Sequence, residues 1–386
     1  MRFRGLAPTV FSAPNEAIRL RFAPFHTRGA TLRSSVKNDI QVAEDSMRFR
    51  LKALLTAILC VSLACGAVFA QAQASQSGPL HFRFGPPMSR TNAQPTSRTN
   101  HPARSTGSSD ISFTFGMIDF PGQMYSAAYG VNDSGKIVGT YGAELVGGGE
   151  GYSSFLLEGT KFTKIAYPGA VWTGTNSIND SGAIVGDYGV TLTDEQGFEL
   201  AGGTYTTINY PGAQSTSLAC INQSGDIAGV WEDSNGVYHG FLLSQGVFTS
   251  FDPPGATLTG PFGINKTDEI VGYYGTADGD SHGFLYSGGT FTTIDYPGSY
   301  SQNYLGGIND RGVITGGYGE PTVINGITYN WQHGFIYQNG QFTSADVPFG
   351  PPASSQPFAI NNNGVVVGEY IDNSDTIYGY EAKVAP

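Results

Sequence analysis

Three observations predict an all-β chain folded as a six-bladed β-propeller of four-stranded blades, its ring closed by the N-terminal strand pairing into the last blade. First, an apolar residue followed by Asn recurs at Val131-Asn132, Ile178-Asn179, Ile221-Asn222, Ile264-Asn265, Ile308-Asn309 and Ile360-Asn361, in steps of 47, 43, 43, 44 and 52 residues. Each copy reaches a glycine eight positions on: Gly139, Gly186, Gly229, Gly272, Gly316 and Gly368. A period in the forties is that of a unit of four short strands. Second, the last copy stops after Tyr378-Gly379-Tyr380 with three strand segments, while a strand-like segment at 113–122 precedes the first copy with nothing to pair with. Surplus and deficit match, and their pairing leaves no long sheet edge open. An open solenoid would not need matched ends. Third, the residue before each anchor is small (Gly130, Ser177, Cys220, Gly263, Gly307, Ala359), as strands converging on an axis require.

Within one unit, strand A ends at Gly263-Ile264-Asn265, strand B is 270–274, strand C is 282–286 and strand D is 291–295. The Asn-Asp-Ser-Gly stretch after strand A supplies residues that tolerate positive φ, so the Asn-X-Ser/Thr triplets read as turns rather than glycosylation sites. Apolar residues on both faces of a strand fit a sheet packed between two neighbours. In such a meander the A–B and C–D turns share one end of the ring, and the B–C and D–A loops share the other. The first set is short and uniform. The second varies in length, and variation on a rigid scaffold is where function concentrates. Trp172 (a D–A loop) and Trp331 (the long B–C loop of the fifth unit) fall in the variable set and are the candidate ligand-binding residues, as exposed indoles suited to stacking on sugar rings. Trp231 aligns with a column of tyrosines (Tyr141, Tyr188, Tyr274, Tyr318, Tyr370) and reads as scaffold.

Ahead of the repeats, Arg48, Arg50 and Lys52 precede an apolar run and small residues up to Ala70, the order of a secretory signal peptide at 47–70. Residues 1–46 read as a non-native upstream extension, because signal peptides start a chain and Met-Arg-Phe-Arg stands at both Met1 and Met47. Residues 71–110 are rich in Ser, Thr, Pro, Asn and Gln and read as a disordered linker. The expected product is exported, with no membrane span after cleavage, and monomeric. Cys60 and Cys65 lie inside the apolar run, which leaves Cys220 alone and no internal disulfide. From Asp110 onward there are 27 acidic and 6 basic side chains, a formal charge of −21 that argues against a nucleic-acid partner.

His239, His282 and His333 occupy one repeat position, held elsewhere by Ser153, Gln196 and Tyr378. A position open to those substitutes is a hydrogen-bonding strand residue rather than a general base. Asp119, Asp252, Asp295 and Asp346 recur beside the Pro-containing loop and read as turn caps. No nucleophile elbow, phosphate loop or Cys-X-X-Cys pair is present, so no catalytic residue is assigned. Each B–C loop carries an acid, and Asp278 and Asp280 in the Asp-Gly-Asp-Ser stretch are the candidate ligands for calcium.

The combination of Gly307-Ile308-Asn309-Asp310 with His282-Gly283-Phe284 resembles the bacterial extracellular repeats of the HAF family, over residues 113–382, with Gly in place of the middle Ala. That resemblance implies an exported repeat protein and carries no established catalytic residues. The expected function is a non-enzymatic binding module for a glycan or an extracellular protein. A polysaccharide hydrolase or lyase is the alternative, since a propeller can bring carboxylates together from distant blades.

Overall fold

The computed structural model describes residues 113–123, 125–145, 149–298, 300, 302–324, 327–348, 354–371 and 376–384, with the side chains of all but 143–145, 149–152, 322–324 and 327–331. The segments 1–46, 47–70 and 71–110, and the loop acids Asp372 and Asp375, lie outside these residues. Six antiparallel sheets of four strands form the blades of a six-bladed β-propeller, each in the order A-B-C-D. Blades 1 to 5 occupy residues 126–165, 172–207, 216–251, 258–293 and 303–344. Blade 6 takes strands A, B and C from Ser354–Ile360, Val365–Ile371 and Ile377–Val384, and its strand D is Phe113–Ile118 from the other end of the chain. Six residue pairs join that strand to strand C, from Phe113↔Val384 to Ile118↔Gly379. Strand D of blade 4 ends at Thr293, two residues short of the sequence reading, because Asp295 turns inward to accept the Gly283 N–H.

The convergence of the inner strands is visible as contact. A Cβ on Gly130 would lie 2.8 Å from the Ser177 Cα, one on Gly263 2.8 Å from the Gly307 Cα, and one on Gly307 2.8 Å from the Ala359 Cα. Every strand A also slips register by one residue just before this point, between Ala128 and Gly130 in blade 1 and between Pro357 and Ala359 in blade 6. The slip is a β-bulge. Opposite it, a Cβ on Gly139, Gly186 or Gly272 would meet a strand-A carbonyl at 2.0 to 2.1 Å. The recurring glycine of strand B is thus a demand for space, made by the bulged strand beside it.

Against that glycine packs the aromatic residue of strand C, fully buried as Phe155, Phe198, Phe241, Phe284 and Phe335. Its neighbour in the triplet has no room for a side chain: at Gly283 a Cβ would be 2.5 Å from the Ile294 carbonyl and 2.9 Å from Leu305 of the next blade. Blade 6 places Tyr380 where the others have Phe, and its hydroxyl, buried like that of Tyr304, has no hydrogen-bond partner among the protein's described atoms. Burial raises both phenols well above the ordinary tyrosine range. Desolvating a hydroxyl without a partner costs about 1–3 kcal/mol. Tyr380→Phe is therefore expected to match or exceed the parent by about 1 kcal/mol in urea unfolding. A clear loss of stability would show that the hydroxyl is bonded.

Candidate functional site

The end of the ring formed by the A–B turns repeats almost without change. Each anchor Asn is buried, and its Oδ1 accepts backbone N–H groups of its own turn, as Asn361 does from Asn363 and Val365. Its Nδ2 reaches the next blade. Asn132 donates to the Asn179 carbonyl at 3.1 Å, Asn179 to Asn222 at 3.0 Å, Asn222 to Asn265 at 3.2 Å, Asn309 to Asn361 at 3.1 Å, and Asn361 to Asn132 at 2.8 Å. The sixth link is missing because Asn265 donates instead to Glu269 Oε2 at 2.7 Å. A second circle lies outside it. The N–H of Asp133 donates to Asp180, Asp180 to Gln223, Lys266 to Asp310, Asp310 to Asn362 and Asn362 to Asp133. Lys266 has no acceptor to offer Gln223, which accounts for the gap.

These circles ring an axial cavity of about 80 Å³. Beyond it the bulged residues Tyr129, Phe262 and Phe358 turn to the axis and narrow it to about 10 Å³, the rings of Tyr129 and Phe358 standing 5.1 Å apart. At roughly 30 Å³ per water the cavity has room for a few waters. Pockets for drug-sized ligands run to about 300–1,000 Å³. The axis is therefore too small for a sugar ring.

The opposite end is built from seams. In four of the D–A loops an aromatic residue stands before the Pro-Gly and stacks on the strand-B aromatic of the following blade: Phe120 on Tyr141 at 3.9 Å, Tyr167 on Tyr188 at 3.6 Å, Tyr210 on Trp231 at 4.4 Å and Tyr296 on Tyr318 at 3.9 Å. On the far side of Trp231 and Tyr318 lie the rings of His239, at 4.7 Å, and His333, at 5.2 Å. Trp231 is thus scaffold, as the tyrosine column implies.

Each histidine is fixed by the aspartate thirteen residues on. His239 Nδ1 is 2.7 Å from Asp252, His282 Nδ1 2.7 Å from Asp295, and His333 Nδ1 3.1 Å from Asp346. The other oxygen of Asp295 or Asp346 accepts the N–H of the triplet glycine, a bond that Asn209 supplies to Gly197 in blade 2. Two columns read separately in the sequence, histidine and turn-capping aspartate, are one hydrogen-bonded unit. The second ring nitrogen faces a B–C acid in two blades: His239 Nε2 is 3.8 Å from Asp233, and His333 Nε2 is 3.3 Å from Glu320. Burial works against charging His333, but the hydrogen bond its Nδ1–H donates to Asp346 and the charges of Asp346 and Glu320 outweigh it and raise its pKa. Cys220 is buried, and desolvation pushes its thiol far above the ordinary range, as expected for a packing residue.

Trp172 does not present the exposed face expected of it. Its indole is 4% exposed, donates Nε1–H to the Thr191 carbonyl at 3.1 Å and lies against Gly189. The B–C loop of blade 2 folds over it because Asp194 accepts the N–H groups of Val190 and Thr191 and the Thr191 hydroxyl. Val190 and Leu192, at the tip of that loop, are 51% and 45% exposed instead. Nothing in the hydrophobic pattern marked them. Trp331 stands on strand C of blade 5 opposite Glu320, and its side chain lies outside the described set. Asp278 and Asp280 share the B–C hairpin of blade 4. The Asp278 carboxylate accepts from the Thr276 hydroxyl at 2.5 Å, which holds its pKa below the usual range, and Asp280 closes the turn through its carbonyl, 3.0 Å from the Thr276 N–H. Among the described residues no three His, Cys, Asp or Glu side chains converge as metal ligands, and no helix is long and apolar enough to cross a membrane.

No family model matches the sequence, and no curated protein matches it. Solved structures that resemble the chain include a mutant of AofleA from Arthrobotrys oligospora (13% identity, TM-score 0.44, covering 72% of this chain and 88% of that one). Others are the Aleuria aurantia lectin in complex with Fucα1-6GlcNAc (10%, 0.44, 67% and 93%) and the β-propeller domain of the Trilobed protease from Pyrococcus furiosus (8%, 0.42, 69% and 96%). At these identities the likeness concerns the fold and says nothing of ligand.

Proposed function

We propose that this chain is an exported, non-enzymatic binding module whose ligand, a glycan or an extracellular protein, is met by the B–C end of the propeller. One observation carries the reading: the two ends of the same ring obey different rules. The A–B end is the same asparagine turn six times over. At the B–C end the strand B–strand C pairing of blade 1 runs on to Leu145↔Gly149, and that of blade 5 to Ile324↔Ile327, so two ribbons flank blade 6. Blade 2 instead carries the apolar loop tip, held rigid by Asp194. A rigid ring with unlike loops on one end is the geometry of recognition surfaces.

The test is retention of the purified chain on immobilised plant and microbial polysaccharides and on extracellular protein extracts, repeated with residues 322–329 replaced by Asn-Gly. Shortening the ribbon this way keeps the pairing up to Pro321↔Asn330. Retention is expected to fall about tenfold or more, roughly 1.4 kcal/mol, with an unchanged melting temperature. Release of sugar fragments would favour the hydrolase or lyase reading. Retention unchanged by the ribbon, in this variant and in one shortened at blade 1, would remove the B–C end from the interface.

A further inference from the structure

We propose that His333 and Glu320 on blade 5, and in a looser form His239 and Asp233 on blade 3, are two-donor sites for a divalent cation of the zinc type. The argument begins with the far nitrogen. Asp346 Oδ2 lies 3.1 Å from His333 Nδ1 and offers only lone pairs, so Nδ1 carries the hydrogen. In the neutral ring Nε2 then presents a lone pair, and it faces Glu320 Oε2 at 3.3 Å. Two acceptors held face to face repel unless a cation stands between them. A proton does this when the ring is charged, and a metal ion does it when the ring is neutral.

The spacing fits the metal. With zinc bonds of about 2.0–2.1 Å, two donors of a tetrahedral site stand about 3.3 Å apart. Imidazole with carboxylate is a donor set that zinc accepts, and the hydrogen bond from the other ring nitrogen to a carboxylate is the support that metal-bound histidines characteristically have. That support is itself fixed, because Asp346 Oδ1 accepts the Gly334 N–H at 2.8 Å and the ring stacks on Tyr318 at 5.2 Å. Blade 3 repeats the scheme more loosely, with Asp252 at 2.7 Å on Nδ1 and Asp233 at 3.8 Å from Nε2, the Asp233 carboxylate being held in its turn by Asn235 and Val237. Blade 4 is the internal control. His282 has Asp295 at 2.7 Å on Nδ1, and no carboxylate among the described residues forms an ion pair with its Nε2. With only two protein donors, binding is expected to be far weaker than at closed four-ligand sites.

The experiment is titration of the full chain with zinc chloride alone at neutral pH, with calcium chloride as the oxygen-seeking control, followed by calorimetry and by the NMR shifts of the histidine ring nitrogens. Zinc is expected to shift the Nε2 signal of His333 most and to bind at least tenfold more weakly at about pH 5.5, where the proton competes. Glu320→Gln should abolish the His333 response. Glu320 is 45% exposed on its side chain, so this change does not threaten the fold. Asp233→Asn should remove the weaker site, and His282→Ala should change neither. Absence of a zinc-specific response at millimolar metal, or a His333 response that survives Glu320→Gln, overturns the proposal.

Discussion

A chain lacking residues 111–122 is expected to lose cooperative unfolding and to aggregate, whereas a chain lacking 71–109 should melt like the parent. The removed strand is the fourth of blade 6 and is contributed by no other part of the chain. With it go six residue pairs to strand C and the buried Ile118, together with Phe113 and Phe115, which pack on the core of blade 6. Phe120 goes as well, and its stack on Tyr141 closes the seam between blades 6 and 1. Fully burying one such side chain contributes about 1.5–3 kcal/mol, and a partly buried one less. With Ile118 buried and the three phenylalanines partly so, their joint loss is a large share of the stability of an ordinary domain, about 5–15 kcal/mol. The deletion also bares strand Ile377–Val384 as an edge that can pair with other molecules. Calorimetry with light scattering measures both effects. A truncated chain with the parent's melting temperature and no aggregation would mean that the ring is held shut by something other than this strand.

Ring closure was legible because it is a matter of counting: a surplus strand at one end, a deficit at the other. The small column from Gly130 to Ala359 was legible for a similar reason, since convergence on an axis acts on every copy alike. What single positions do to their neighbours was less visible. The anchor asparagines marked the period, but periodicity says that a position repeats, not that copies more than forty residues apart touch one another. Histidine and aspartate were each read as structural, yet their union depends on a cross-strand approach that spacing alone does not report. Trp172 failed differently. Its exposure turned on whether one short loop folds over it, and that was decided by Asp194, one of the B–C loop acids, through the bonds it accepts from Val190 and Thr191. The reason for Gly in the middle of His-Gly-Phe, the packing of Leu305 against Gly283, lies in the next blade.

The asparagine circle gives the second large effect, and it separates a repeated turn from a closed ring. In Asn361→Ala, the Asn363 and Val365 N–H groups lose their side-chain acceptor at 3.0 and 2.9 Å, and the Asn132 carbonyl loses the donor that joins the last blade to the first at 2.8 Å. The Asn361 side chain is buried, so the Asn132 carbonyl loses a bond that water replaces poorly, whereas the N–H of the exposed Asn363 can turn to solvent. Each such group left unsatisfied costs about 1–3 kcal/mol, and the variant is expected to lose about 3 kcal/mol or more. Asn265→Ala is the comparison, because that side chain serves its own turn in the same way, accepting from Thr267 and Glu269, but donates within its own blade to Glu269 rather than across to the next. It gives up the bond to the partly exposed Glu269 carboxylate, which water can replace, rather than the buried cross-blade bond, and so should cost less by about 1 kcal/mol. Asn361→Asp keeps both acceptors but sets a buried carboxylate against the Asn132 carbonyl in place of the donor, and so should lose at least the cross-blade bond. Urea unfolding of the three variants decides the matter. Equal losses for Asn361→Ala and Asn265→Ala would show that the asparagines stabilise only their own turns, and that the circle they draw around the axis contributes nothing to holding the blades together.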